Sequence, residues 1–318
     1  MKSKRLGKWK WIGSSAAVLI VCGTGWWQLF MVWPMGEGPA GPVVERVKFS
    51  SVWETRPVML VGIGDSVTAG FGASPGFSYF QRLVRNPAGD PPSVEGVNLS
   101  RVFPNLKSTN LAVSGSTSPQ HIRFQIPKLL RQPTNVLGIV AMTTGGNDII
   151  HNYGKTPPSE GAMYGATFEQ AQPWITNFAE RLESMISAAI DAFPGGCEIF
   201  LANIYDPTDG LGDISRAGLP TWREGMKIHA EYNRVISEAA NRHRHVHLVD
   251  IHHAFLGHGI HARQFWREHY DRVDPYYWFY TNLEDPNDRG YDALRRLFLN
   301  KMAEVFDRKA GENSKAIK

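Results

Sequence analysis

The strongest constraint on the fold is an alternation that begins near Pro57. Short apolar runs, Val58 to Ile63, Thr109 to Val113, Val136 to Met142, Glu198 to Ile204 and Val246 to Ile251, are separated by longer amphipathic stretches. Each run has the length of a strand, and most lack the polar alternation of a solvated sheet face, so they read as parallel strands buried on both sides. Phe168 to Phe193 and Trp222 to His243 carry helical periodicity, and Asn287 to Phe306 reads as a closing helix with Asn287 as its cap. The pattern predicts a three-layer α/β/α domain with a mainly parallel five-stranded sheet, flavodoxin-like in layout. In such sheets ligands sit beyond the carboxyl ends of the strands, so the residues that follow each apolar run are where chemistry is expected.

Ahead of this domain the chain has a different character. Lys2, Lys4, Arg5, Lys8 and Lys10 precede any acid, and without those five charges the formal +4 becomes −1. A near-neutral remainder gives no electrostatic case for a nucleic-acid partner. Residues 11–33 carry no charged side chain and are flanked by Trp9, Trp11, Trp26, Trp27 and Trp33. At about 1.5 Å per residue such a stretch can cross a hydrocarbon core of about 30 Å, and its aromatic ends suit the water interface. The expected organisation is a basic cytoplasmic segment (1–10), a transmembrane signal-anchor (11–33), a Gly/Pro-rich linker (34–50), the α/β domain (51–308) and a disordered tail (309–318). The domain would then lie on the extracytoplasmic side, single-pass, or be secreted if the segment is cleaved; lipid modification of Cys22 is the third possibility. Cys22 and Cys197 are the only cysteines, which excludes a disulfide framework.

The turn after the first apolar run reads Gly62-Ile63-Gly64-Asp65-Ser66-Val67-Thr68-Ala69-Gly70. Glycines there permit a tight bend that presents a hydroxyl and a backbone amide. The next turns read Ala112-Val113-Ser114-Gly115-Ser116 and Thr144-Gly145-Gly146-Asn147-Asp148. Taken singly, these are ordinary polar turns. Together and in this order they resemble the SGNH (GDSL-type) hydrolases. The resemblance implies that Ser66 is a nucleophile and that the Ser66 and Gly115 amides and the Asn147 side chain form an oxyanion hole, with Asp148 supporting the turn.

The last block departs from the family pattern, which has an aspartate, two residues and then histidine-proline before the closing helix. Here the stretch reads Asn282-Leu283-Glu284-Asp285-Pro286-Asn287, with Asp285 at the histidine position and Asn282 at the aspartate position. A serine nucleophile needs a base. His258 and His261, in the loop after the last apolar run, are the candidate replacements, with Asp285 to orient whichever serves. The alternative is that these histidines only fill hydrogen-bonding roles in their loop.

Other features read more plainly. His243, His245 and His247 alternate ahead of a strand and fit a solvated face better than a metal site, and the Tyr276 to Tyr280 stretch suits either loop packing or a subsite. The resulting expectation is a membrane-anchored serine esterase or lipase-like hydrolase that needs no metal or cofactor and acts on a small-molecule, carbohydrate or lipid ester. An extracytoplasmic O-acyltransferase and a non-catalytic binding module that has lost its base are the alternatives.

Overall fold

The computed structural model describes residues 18–316. Five strands, β1 (Val58–Ile63), β2 (Leu106–Asn110), β3 (Leu137–Met142), β4 (Cys197–Ala202) and β5 (Val246–Val249), form one all-parallel sheet in the order β2-β1-β3-β4-β5. The reversal of order between β1 and β3 opens a crevice at their carboxyl ends. Side chains alternate along each strand between two cores. Val58, Leu60, Ile139 and Phe200 pack on one face, and Val61, Ile63, Val140 and Leu201 on the other.

Five helices matter for the site: α1 (Ser66–Ala69), α2 (Gly146–Ile150), α3 (Phe168–Ala192), α4 (Gly225–Arg242) and α5 (Asp288–Ala316). Helices α3 and α4 cover the second core, while α5 covers the first. Thr167 caps α3 by accepting from Gln170 N at 3.2 Å, and Asn287 caps α5 by accepting the Arg289 and Gly290 amides at 3.0 Å each.

Three boundaries differ from expectation. Strand β2 lies at Leu106–Asn110, ahead of the apolar Leu111 to Val113, because it is an edge strand with a largely exposed surface and its apolar content is a poor signal. Helix α5 continues past Phe306 to Ala316, through the segment expected to be a disordered tail, and Lys309 pairs there with the buried Glu198. Residues 34–50, expected as a linker, lie against the domain. Ala40, Val44 and Phe49 are buried in the first core, and Ala40 N donates to Asp292 Oδ2 at 3.2 Å.

The basic segment 1–10 and residues 11–17 of the expected anchor lie outside the described residues. Residues 18–30 are helical, with Val18 to Val21, Trp26 and Trp27 exposed. Among the described residues no helix is long and apolar enough to cross a membrane. The end of this helix rests on the loop after β5: Arg263 donates to Gln28 Oε1 at 2.9 Å, and the Phe30 and Trp266 rings lie 5.8 Å apart.

Candidate active site

Ser66 opens α1 directly beyond β1, where its side chain stands at the crevice and its N–H, the first of the helix, has no intrahelical acceptor. Asp65 caps the turn: Oδ1 accepts Val67 N at 3.1 Å and Thr143 Oγ1 at 2.8 Å. Gly64 is required because its φ is +151° and a Cβ would lie 2.4 Å from Thr143 Oγ1. Gln125 brackets this peptide, accepting from Gly64 N at 2.9 Å and donating to Gly64 O at 2.7 Å. Ser66 therefore follows a bend held from both sides.

The second turn contributes Gly115, at φ +77°, whose amide meets no acceptor among the described residues. Next to it, Asn147 Nδ2 donates to Ser116 O at 3.1 Å, which fixes the side chain and leaves its second N–H for a ligand. Below these turns lies His121, fully buried, with Nε2 2.9 Å from Ser116 Oγ and Nδ1 3.0 Å from Thr144 Oγ1. Burial pushes this imidazole down to about 4, so it is neutral and structural. Asp148 accepts from Ser118 N at 2.7 Å and from Ser118 Oγ, and stands 3.7 Å from Arg181. Ser66, Gly115 and Asn147 follow the carboxyl ends of three adjacent strands, and Ser66 and Asn147 line the same cavity.

The loop that precedes α5 brings the fourth component. An antiparallel bridge between Phe279 and Pro286 closes the loop, and Asp285 is delivered to Ser66. The Asp285 carboxyl lies near the Ser66 hydroxyl without closing a hydrogen bond to it, and burial raises the carboxyl above its ordinary range against the opposing influence of Ser66 and Asn282. The approach is looser than an ordinary hydrogen bond, since Asp285 Oδ1 has no partner within strict geometry among the described residues. Such contacts often tighten only when substrate arrives. Asp285 Oδ2 accepts Asn282 Nδ2 at 2.7 Å, and Asn282 Oδ1 accepts the Asp285 amide at 3.2 Å.

Two more acids complete the electrostatics. Burial first, and then Asp285, push Asp65 up to about 6 against the opposing Thr143 hydrogen bond. Glu284 is pushed up to about 7 by burial, Asp285 and Asp65 in that order. Three carboxyl groups thus lie close to one serine, with Asp285 favouring the neutral form of Asp65 and Glu284, and Asp65 that of Glu284.

The histidines expected to supply a base lie elsewhere. The His258 ring stacks on Trp278 at 3.5 Å, with Nδ1 3.2 Å from Tyr276 O, and His261 Nε2 lies 2.8 Å from Asp213 Oδ1. Neither lines the cavity that holds Ser66. Their loop is folded onto Asp209, whose carboxylate accepts the amides of Gly257, Gly259 and His261. The structure therefore does not bring His258 or His261 to Ser66, whereas the Asp285 carboxyl lies near the Ser66 hydroxyl. His243, His245 and His247 pair with Glu183 and Glu198 at the opposite end of the sheet. Tyr277, Trp278 and Phe279 are packed into the first core.

One group of site residues carried no motif. A cavity of about 160 Å³ opens beside Ser66 and Asn147, and Ile150, Tyr153, Tyr164, Ile204, Trp222 and Met226 contribute to its walls.

Residues 63–293 match the sequence profile described as the GDSL-like lipase/acylhydrolase family. Similar solved structures include an extracellular lipase from Streptomyces rimosus, 16% identical, covering 77% of this chain and 99% of its own, with a TM-score of 0.50. An acetylxylan esterase from Geobacillus stearothermophilus is 19% identical over 78% of this chain and 94% of its own, with a TM-score of 0.47. A phospholipase A1 from Streptomyces albidoflavus is 17% identical over 78% of this chain and 100% of its own, with a TM-score of 0.45. No curated protein sequence matches. With the profile spanning most of the chain and Ser66, Gly115 and Asn147 gathered at the sheet's carboxyl edge, the chain belongs to the GDSL-like lipase/acylhydrolase family of ester hydrolases.

Proposed function

We propose that the protein is a serine esterase in which Asp285 itself takes the proton from Ser66, in place of a histidine. The observation that carries this reading is the paired exchange in the last block. Where the family pattern has a carboxylate that accepts from an imidazole, this chain has an amide, Asn282, that donates to a carboxylate, Asp285, at 2.7 Å. An aspartate at both positions would place two buried like charges in contact, so the two exchanges are chemically complementary. A buried carboxyl with a raised pKa is also a stronger base than an exposed one.

In the first step Ser66 Oγ attacks the acyl carbon while its proton passes to Asp285. Negative charge develops on the former carbonyl oxygen, where the Ser66 and Gly115 amides and Asn147 Nδ2 donate to it. Collapse of the tetrahedral species expels the alcohol, which takes the proton held on Asp285. Water then attacks the acyl carbon, giving a proton to Asp285, and collapse of the second tetrahedral species expels Ser66 Oγ, which takes that proton back as the acid leaves.

The site would work at a membrane surface, tethered by the N-terminal segment on the extracytoplasmic side. Supporting this, the helix at 18–30 ends on the loop after β5, beyond the same carboxyl edge of the sheet that carries Ser66, where Phe265 and Trp266 are also exposed. The substrate is a carbohydrate or lipid ester. The apolar walls beside Ser66 suit an acyl group, and the Streptomyces rimosus structure of like fold is that of a lipase.

A fluorophosphonate probe tests the nucleophile directly. The full chain should gain one adduct, located by peptide mass on the segment that contains Ser66, and Ser66→Ala should gain none. Labelling of the alanine variant at the parent's rate would defeat the proposal.

A further inference from the structure

We infer that the cavity beside Ser66 is an acyl-chain pocket sized for about six carbons, so that the preferred substrate is a medium-chain acyl ester and not an acetate. The inference rests on the proposed esterase reading and extends it to the substrate's acyl part.

The cavity is chemically graded. At one end are Ser66, Asn147 and Thr143, and from there it runs across the ends of β3 and β4 towards the start of α4. Along that course the polar atoms of two large aromatic wall residues are committed elsewhere. Trp222 Nε1 donates to Ala166 O at 2.7 Å, and the Tyr164 hydroxyl donates to Pro220 O at 2.5 Å, which leaves two rings 4.9 Å apart as an apolar wall. Ile204 N donates to Asn233 Oδ1 and Ile204 O accepts Asn233 Nδ2, both at 2.8 Å, so the backbone of this wall residue offers a guest no free partner. Ile149, Ile150 and Met226 complete the lining. A polar or sugar guest would lose hydrogen bonds to water here and regain few.

Size sets the chain length. An apolar cavity of about 150 Å³ accommodates benzene, a guest of six carbons, and this one measures about 160 Å³. An acetyl group would occupy only the end next to Ser66. Each further methylene that enters should raise kcat/KM about fourfold, so hexanoyl esters should exceed acetyl esters on the order of a hundredfold, with the gain ending once the cavity is full.

Gly146 offers a way to shorten the pocket. Its backbone has an ordinary φ, and a Cβ there would meet Asp65 Oδ2 at 3.7 Å and Ile204 Cγ2 at 3.9 Å, normal contact distances, at the first position of α2. A Cβ at Gly146 therefore fits the fold, and the rest of a Gly146→Leu side chain is expected to take up cavity volume on the Ile204 side, leaving the space next to Ser66 that an acetyl group uses.

The test uses the full chain in a steroid detergent too broad to enter. Nitrophenyl esters from acetyl to dodecanoyl are compared for the parent and for Gly146→Leu, and calorimetry measures binding of acetamide, butyramide and hexanamide to Ser66→Ala. We expect kcat/KM to peak near six carbons, the peak to move to two to four carbons in Gly146→Leu, and amide affinity to rise with chain length. A kcat/KM that falls steadily from acetyl, or amide affinity independent of length, would overturn the pocket. If hexanamide binds tightly and acetamide weakly while no ester is turned over, the pocket stands and the esterase reading fails.

Discussion

Replacing Asp285 with asparagine separates a catalytic carboxylate from a structural one, because the two roles move activity and stability in different directions. The amide is nearly isosteric with the carboxylate and keeps an oxygen for Asn282 Nδ2, so the 279–286 loop should hold its shape in Asp285→Asn. What the exchange removes is the acceptor for the Ser66 proton. General-base catalysis contributes about 10²–10⁴ in rate, equivalent to about 3–5 kcal/mol of barrier, and kcat/KM on a nitrophenyl ester should fall by that much. The same exchange removes a buried charge that burial opposes and that raises Asp65 and Glu284. Relief of such a charge is worth about 1.4 kcal/mol for each unit by which the carboxyl is raised, and for a domain of this size about 2–4 °C accompanies each kcal/mol. Thermal unfolding at pH 8, followed by circular dichroism, should therefore show a Tm several degrees above the parent while activity collapses. An activity close to the parent's would show that Asp285 is not the base. A Tm that falls together with activity would mean that the residue serves the loop and not the chemistry.

Further outcomes follow from the same geometry. Asn147→Ala removes one oxyanion donor and should lower kcat by about 10²–10³, with KM on short esters little changed; an equal loss confined to KM would contradict the assignment. His258→Ala and His261→Ala should lower Tm, through loss of the Trp278 stack and the Asp213 hydrogen bond respectively, while kcat/KM stays near that of the parent; a large selective loss of kcat in either would restore a histidine base. Asp65 titrates at about 6 in the folded chain against an ordinary 3.8. Its contribution to stability is therefore full below about pH 4 and is lost as pH rises through 6, a swing of about 3 kcal/mol. Asp65→Asn, which retains the acceptor for Val67 and Thr143, should flatten that part of the Tm–pH curve, and an unchanged curve would refute the assigned burial cost.

Much of the fold was legible because burial on both faces of a parallel sheet leaves continuous apolar runs. Val58 to Ile63 coincides with β1, and the runs that gave β3, β4 and β5 shifted only at their ends. Strand β2 was misplaced because an edge strand such as Leu106–Asn110 is held by its backbone ladder to β1 and needs little apolar content. The turns that hold Ser66, Gly115 and Asn147 were legible because their backbone is constrained, most plainly at Gly64, where no side chain fits. The partner of Ser66 was harder to find. The sequence places Asp285 where a histidine is usual and so directs attention to an imidazole elsewhere, because proximity between the 279–286 loop and α1 is a tertiary fact. The pairing of Asn282 with Asp285 was the available signal, since the two differ from the family pattern together and in complementary chemical senses. The cavity walls were invisible for a simpler reason: Tyr164, Ile204 and Trp222 are far apart in the chain and have no shared pattern until α3, α4 and the sheet bring them together.

The identity of the base is tested most directly by the pH dependence of kcat/KM measured at two well-separated temperatures. A carboxyl group ionises with almost no heat, so its apparent pKa hardly moves on warming, whereas an imidazole ionises with substantial heat and its pKa falls. With Asp285 as base, activity should rise with pH through a single acid limb whose midpoint stays in place between the two temperatures. A midpoint that falls on warming would show that an imidazole activates Ser66 and would contradict the account.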